Sequence, residues 1–130
     1  MQRFVWTVLT TLVTAWPLPL LAQAAPAQTP AYGRCMDKSG GVTVRMLDCM
    51  ATEMSHQDAR LNRAYKTLMA SLPSERQRAL QRAQRAWLAF RDADCQFLAE
   101  PEGGSAASLV ASDCFLTMTT QRAQALEDMH

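Results

Sequence analysis

The sequence predicts an all-α fold in which an antiparallel helical hairpin and a third helix form a small, disulfide-stapled bundle. Long stretches carry apolar residues at helical spacing, and proline and glycine residues separate these stretches. Four cysteines are available to staple a domain of this size. The sequence shows no convincing β-strand pattern and no internal repeat.

The first long helix is predicted from Thr43 to about Ser71. Threonine is a favoured N-cap residue, and Pro73 ends the helix because proline cannot continue a helix interior. With a turn of about 100° per residue, one broad stripe of the helix is apolar. Its members are Met46, Met50, Met54, Leu61, Tyr65, Leu68 and Leu72.

The second helix is predicted from Pro73 or Ser74 to about Ala99. Ser74 followed by Gln77 resembles a capping box, and proline is favoured at a first helical position. Because the connection to the first helix is so short, the two helices are expected to form an antiparallel hairpin.

The third helix is predicted to start at a Ser105 cap and to end near Asp128. Its apolar face, formed by Leu109, Leu116 and Ala123, is the weakest of the three. A third helix with a weak apolar face contributes little buried area, so the stability of the domain is expected to depend on its disulfides. The segment before the first helix, Gly33 to Gly41, is expected to be short and turn-rich.

The N-terminus has the layout of a cleavable secretion signal. Arg3 precedes an apolar stretch from Phe4 to Leu21, and Ala22 to Ala24 form a small-x-small cleavage pattern. Pro17 and Pro19 argue against the alternative, an uncleaved membrane anchor. A periplasmic or secreted protein with no membrane insertion after signal cleavage is expected. The chain then divides into a signal peptide at residues 1–24, a flexible leader at 25–32 and a helical domain at 33–130.

The charge of the mature domain is balanced. Of the thirteen basic residues, Arg3 leaves with the signal peptide, so twelve basic residues remain against twelve acidic ones. This balance gives no electrostatic footprint for nucleic acid or for an anionic membrane, and neither is expected as a partner.

The four cysteines are expected to form two disulfides, because an even number in an exported chain is typical of a disulfide framework. Sequential pairing of Cys35 with Cys49 and of Cys95 with Cys114 is favoured, since each bridge then closes a short loop. Pairing of Cys49 with Cys95 and of Cys35 with Cys114 remains open. A cysteine metal site needs close pairs such as C-x-x-C, which are absent, so no metal or cofactor is expected.

No catalytic constellation is visible, so the protein is not expected to be an enzyme. His56 is the only internal histidine, and its neighbours Ser55 and Asp58 would not face it on a helix. A copper-binding role is a further alternative, because Met46, Met50 and Met54 place thioethers on one helix face. Core packing is the favoured interpretation of these methionines, since the same stripe continues into apolar residues.

Arg91 breaks the apolar pattern of the second helix. A buried guanidinium needs a carboxylate partner, and Glu53, Asp58 and Asp94 are the candidates. A structural ion pair within the hairpin is the favoured interpretation, and an arginine presented in a groove is the functional one.

Two runs of sequence resemble the LprI-like lysozyme inhibitor family. They are AQRAWLAFRDADC, from Ala83 to Cys95, and DARLNRAYKTLM, from Asp58 to Met69. The order of the cysteines and the later run TTQRAQAL also agree, and the resemblance covers about Gly33 to Leu126. It implies a helical, extracytoplasmic domain with paired cysteines that binds and inhibits lysozyme or another peptidoglycan hydrolase. In the most distinctive motif of the resemblance, the matching residues are Arg85, Trp87, Arg91 and Asp92.

A second candidate contact is the segment Ser39-Gly40-Gly41 beside Lys38. Other lysozyme inhibitors insert a short Ser-Gly loop into the acidic cleft of the enzyme, and a cation with small donors could meet its two catalytic carboxylates. The resemblance therefore predicts a binding protein that occludes a hydrolase cleft. The alternatives are an immunity protein against a cell-wall toxin and an interaction protein of envelope stress.

Overall fold

The computed structural model describes residues 27–129, and the signal peptide predicted at residues 1–24 lies outside them. The described residues form helices and connections without a β-strand, which confirms the all-α prediction. No helix among them is both long enough and apolar enough to span a bilayer. The helices are α1 (Pro30–Ser39), α2 (Thr43–Ser71), α3 (Ser74–Ala99) and α4 (Gly104–Glu127).

The bounds of α2 and α3 agree with the prediction, because Pro73 separates them. The capping box predicted at Ser74 is not formed, since Pro73 is the N-cap and no side chain caps the helix. Gln77 instead turns back, and its Nε2 donates to the carbonyls of Met69 and Leu72 at 3.1 and 2.9 Å. These bonds satisfy acceptors that the end of α2 leaves free.

Helix α1 corrects the prediction that Gly33 to Gly41 is turn-rich. It begins at Pro30, inside the stretch predicted as a leader, and the Thr29 hydroxyl accepts from the Tyr32 amide at 3.2 Å. It ends at Gly40, which has a φ of 60° in the left-handed region that favours glycine. A threonine cap, an N-terminal proline and a terminal glycine are helix signals that outweighed the glycine content of the segment.

Helix α4 is the central helix of the bundle. Its apolar face is the weakest among the three long helices, as predicted, but the inference of a minor third helix was wrong. It packs along α2 and also contacts α3, whereas close approaches between α2 and α3 are few. A helix between two neighbours buries side chains around much of its circumference, and a single apolar stripe is then not expected. The buried residues of α4 are Leu116, Thr119, Thr120, Ala123 and Leu126.

The main core lies where α2 and α4 meet. Its buried members are Leu61, Ala64, Leu68, Ala123 and Leu126, and Tyr65, Leu72, Leu80 and Trp87 pack against them. A bidentate pair closes one edge of this interface. Arg60 Nη2 lies 2.6 Å from Glu127 Oε2, and Arg60 Nε donates to Glu127 Oε1 at 2.8 Å.

Both disulfides follow the favoured sequential pairing. Cys35–Cys49 joins α1 to α2, with Cα atoms 5.7 Å apart, and Cys95–Cys114 joins α3 to α4, with Cα atoms 5.5 Å apart. Each outer helix is thereby fastened to one helix of the α2–α4 pair. The paired cysteines suggest an exported protein, because disulfides persist in oxidising compartments.

Candidate functional site

Arg91 lies at the centre of an aromatic cluster between α3 and α4. Its guanidinium carbon is 5.2 Å from the ring centroid of Trp87 and 5.2 Å from that of Phe115. Arg122 approaches the same indole at 5.8 Å. Cations at these distances are attracted by the negative face of an aromatic ring. The cluster therefore fastens α3 to α4 around Trp87.

The carboxylate partner of Arg91 is Asp92, and not any of the three predicted candidates Glu53, Asp58 and Asp94. Arg91 Nη2 lies 2.9 Å from Asp92 Oδ1, and Arg91 Nη1 donates to Thr119 Oγ1 of α4 at 3.1 Å. For Glu53 and Asp58 the physical cause is the packing of the helices: the prediction placed α2 opposite α3, but α3 packs on α4.

Replacing Arg91 with lysine is expected to lower the free energy of unfolding by about 1–2 kcal/mol. Lysine keeps the charge but loses the planar stacking on two rings and the fork of donors. Urea denaturation followed by circular dichroism measures the change. Arg85→Lys is the matched control, because Arg85 is exposed on the same helix. Equal stability of the two variants would show that the cluster contributes nothing.

Among residues 27–129, Glu53 is the charged residue most removed from water, and the sequence predicted it only as a possible partner of Arg91. It is 3% exposed. Its carboxylate accepts from the Thr29 amide at 2.8 Å, the Thr29 hydroxyl at 2.5 Å and Gln57 Nε2 at 2.7 Å. Burial alone would raise the pKa of this carboxyl, but the hydrogen bonds from Thr29 and Gln57 lower it below its ordinary value. The network ties the start of α1 to α2.

The lowered pKa of Glu53 predicts a loss of stability in acid. A carboxyl whose pKa is lower in the folded state stabilises fully above its unfolded pKa of about 4.3. This contribution disappears as the pH falls through the folded pKa. Unfolding free energies measured from about pH 6 down to about pH 2.5 should therefore fall more steeply for the wild type than for Glu53→Gln. Parallel curves would contradict the assignment, and Glu75→Gln, at an exposed glutamate, controls for the lost charge.

The corner between α1 and α2 exposes the ammonium group of Lys38 and the backbone of two glycines. Lys38 is exposed in the last turn of α1, and Gly40 and Gly41 are exposed with φ values of 60° and 76°. Ser39 is 3% exposed, and its hydroxyl donates to the Met36 carbonyl at 2.7 Å and accepts from the Gly41 amide at 3.4 Å. The Ser39 side chain thus shapes the corner from within, and Lys38 with the two glycines forms its surface.

The structure does not bring all the predicted contact residues together. Arg85 is exposed and lines a hollow with Tyr65 and Leu88, whereas Trp87 and Arg91 are partly buried against α4. Sequence reasoning missed the partners that come from α4, which are Phe115, Thr119 and Arg122. Arg122 Nε donates to Gln84 Oε1 at 3.0 Å, and burial lowers the pKa of the Arg122 guanidinium. Arginine and aromatic residues on two different helices give no spacing signal that would have linked them.

Met46, Met50 and Met54 of α2 do not all line one cavity. Met46 and Met50 line a groove with residues of α3 and α4, and Met54 lines a second hollow together with Met50 and Phe115. Within residues 27–129, no group of three or more histidine, cysteine, aspartate or glutamate side chains is arranged to hold a metal ion. The copper alternative remains a prediction from the sequence.

Comparison with known proteins identifies the family. The family model for lysozyme inhibitor LprI matches residues 35–126, which include both disulfides and the Trp87–Arg91 cluster. The chain belongs to the LprI lysozyme inhibitor family. An uncharacterized protein of Rhizobium meliloti (strain 1021) is similar to this chain, at 27% identity over 95 residues. The match covers 62% of this chain and 68% of that protein. No solved structure matches the chain.

The residues matched by the family model include some of the structural features described above and leave out others. It begins at Cys35, so it contains Lys38, Gly40 and Gly41, but it leaves out Thr29 and the start of α1. It ends at Leu126, a fully buried residue of α4. Family membership and the two disulfides together suggest that the chain is exported.

Proposed function

We propose that this protein binds a lysozyme or a related peptidoglycan hydrolase and blocks its cleft, with no chemistry of its own. The observation that carries the proposal is the match to the lysozyme inhibitor family over residues 35–126. Occlusion requires only a stable surface that complements the enzyme. A disulfide-linked bundle provides such a surface without any catalytic group.

The α1–α2 corner is the part of the surface that best complements a hydrolase cleft. Glycoside hydrolases of this kind use two carboxyl groups that flank the scissile bond. The exposed ammonium of Lys38 can pair with such a carboxylate, and the glycines allow close backbone approach. Because Cys35–Cys49 and the buried Ser39 hydroxyl hold the corner, little conformational entropy is lost on binding.

The residues of the α3 motif have secondary roles in this proposal. Trp87 and Arg91 hold α3 on α4 and keep the bundle in shape. Arg85 and Asp92 are exposed on the same helix and are proposed as further contacts with the enzyme. The corner and these α3 positions are separate regions, so substitutions in each can be tested independently.

A lysis assay tests the proposed function. The oxidised protein is titrated against lysozymes of several types acting on bacterial cell walls. Stoichiometric inhibition of at least one type is expected, and reduction of the disulfides should abolish it. Full lysis by every type in the presence of excess protein would contradict the proposal.

Replacing Lys38 with glutamate is expected to weaken inhibition about tenfold or more. A carboxylate at the corner repels the acidic cleft, whereas the lysine attracts it. Inhibition constants for wild type and variant give the measurement, and they should converge at high salt because the attraction is screened. Lys66→Glu is the matched control, since Lys66 is an exposed lysine in the second half of α2. An equal loss in both variants would show a general charge effect and not a contact at the corner.

A further inference from the structure

An open groove of about 600 Å³ lies among α2, α3 and α4 on the half of the bundle that carries the disulfides. Its apolar lining comes from all three helices and consists of Met46, Met50, Leu98, Leu109, Val110 and Met118. Cys114, which is bonded to Cys95, also lines it, and Met118 Sδ lies 3.7 Å from Cys95 Sγ and 3.8 Å from Cys114 Sγ. The disulfide thus fixes the relative position of α3 and α4 beneath the groove.

Two carboxylates also line this groove without a cationic partner. Asp94 of α3 and Asp113 of α4 both border it, and Asp113 is exposed. The ion pairs among residues 27–129 are Arg60–Glu127 and Arg91–Asp92, so neither aspartate is paired there. An apolar groove bordered by two free negative charges attracts apolar groups and cations together.

The groove remains open to water. Leu98, which lines it, is 47% exposed, and the lining as a whole is predominantly apolar. An apolar surface that stays in contact with water is typical of an interaction site.

We propose that this groove binds a basic, amphipathic helical segment of a partner protein. The apolar face of the segment contacts the methionines and leucines, and its lysine or arginine side chains pair with Asp94 and Asp113. Methionine side chains are flexible and polarizable, so they adapt to helices of different sequence. The interaction goes beyond lysozyme inhibition and does not require the Lys38 corner.

The charge of the groove decides among possible occupants. An acidic or neutral helix would desolvate two carboxylates without pairing them, which costs free energy. With a basic helix, charge-assisted hydrogen bonds from its lysine or arginine side chains offset the cost of removing water from the two carboxylates. An amphipathic helix places apolar anchors at helical spacing on one face and cations at its flanks, and recognition of such a helix in an apolar groove is a recurrent mode of binding.

Fluorescence anisotropy with synthetic peptides tests the proposal. The probe is a labelled helical peptide of leucine and lysine, about 18 residues long, and its counterpart replaces each lysine with glutamate. The oxidised protein is expected to bind the lysine peptide at low ionic strength and to leave the glutamate peptide free. Binding of both peptides alike, or of neither at millimolar protein, would overturn the proposal.

Variants of the groove locate the binding. Asp94→Asn with Asp113→Asn is expected to weaken binding of the lysine peptide about tenfold, and the control is Asp58→Asn with Glu75→Gln, which removes the same charge elsewhere. Leu98→Gln is expected to weaken it several-fold, and Phe90→Gln, at an exposed residue of α3 outside the groove, is its control. Circular dichroism confirms that each variant is folded. If the control variants lose as much affinity as the groove variants, the groove is not the site.

Discussion

Truncating Leu116 to alanine is expected to lower the free energy of unfolding by about 3 kcal/mol, with values up to about 5 kcal/mol if the site does not collapse. Leu116 has no accessible surface and lies in α4, the helix that contacts both α2 and α3. Removing its branched end deletes buried methyl groups and leaves a cavity. Urea denaturation at 25 °C, followed by the helical circular dichroism signal, gives the difference.

The matched control for this truncation is Leu109→Ala in the same helix. Leu109 is only partly buried and lines the open groove, so the variant should lose about 1 kcal/mol or less. The comparison holds the residue type and the helix constant and changes only the burial. Equal losses at the two positions would contradict a central position for α4.

Removing the Cys95–Cys114 disulfide by substituting alanine at both positions is expected to cost about 3 kcal/mol. The bridge spans 19 residues, and in the chain-entropy argument a loop of this size restricts the unfolded chain by about that amount. Cys95 has no accessible surface, so loss of its sulfur also removes packing against Met118. Thermal and urea unfolding of the double variant, compared with the oxidised wild type, measure the total.

The double variant Cys35→Ala, Cys49→Ala distinguishes two contributions of a disulfide: the entropy that the closed loop removes from the unfolded chain, and the helices that the bridge joins. Its loop of 14 residues gives nearly the same entropic term, but the bridge fastens only α1, which packs mainly on α2. We expect α1 to detach while the rest of the bundle still unfolds cooperatively. If both double variants lost stability equally and in a single transition, α1 would be an integral part of the cooperative unit.

The two long helices of the hairpin were predictable because their signals are local. Pro73 interrupts the helical pattern whatever surrounds it, and the apolar stripe from Met46 to Leu72 needs no partner to be recognised. The sequential disulfides were also favoured for a local reason, the short loops that they close. Helix α1 has equally local signals in Thr29, Pro30 and Gly40, and they determine its structure although glycines within the segment favour turns.

The packing of the helices could not be predicted in the same way. A short connection predicts that two helices are antiparallel, but it does not say whether a third helix lies along them. Because α4 packs against both α2 and α3, Arg91 of α3 contacts Thr119 and Phe115 of α4 rather than a carboxylate of α2. The same arrangement brings Asp94 and Asp113 to one groove, although nothing in their sequence context connects them.

The arrangement of the bundle also determines when the chain can fold during its synthesis. Among the described helices, α4 is made last, yet it provides the surface on which α2 and α3 pack. Until it has been made, α2 and α3 have few close approaches to each other, and the core that they share with α4 is incomplete. Because the core is completed only with α4, we expect stable tertiary packing to form only after most of the chain has been made. The Cys35–Cys49 bridge can close early, whereas Cys95 must wait for the arrival of Cys114.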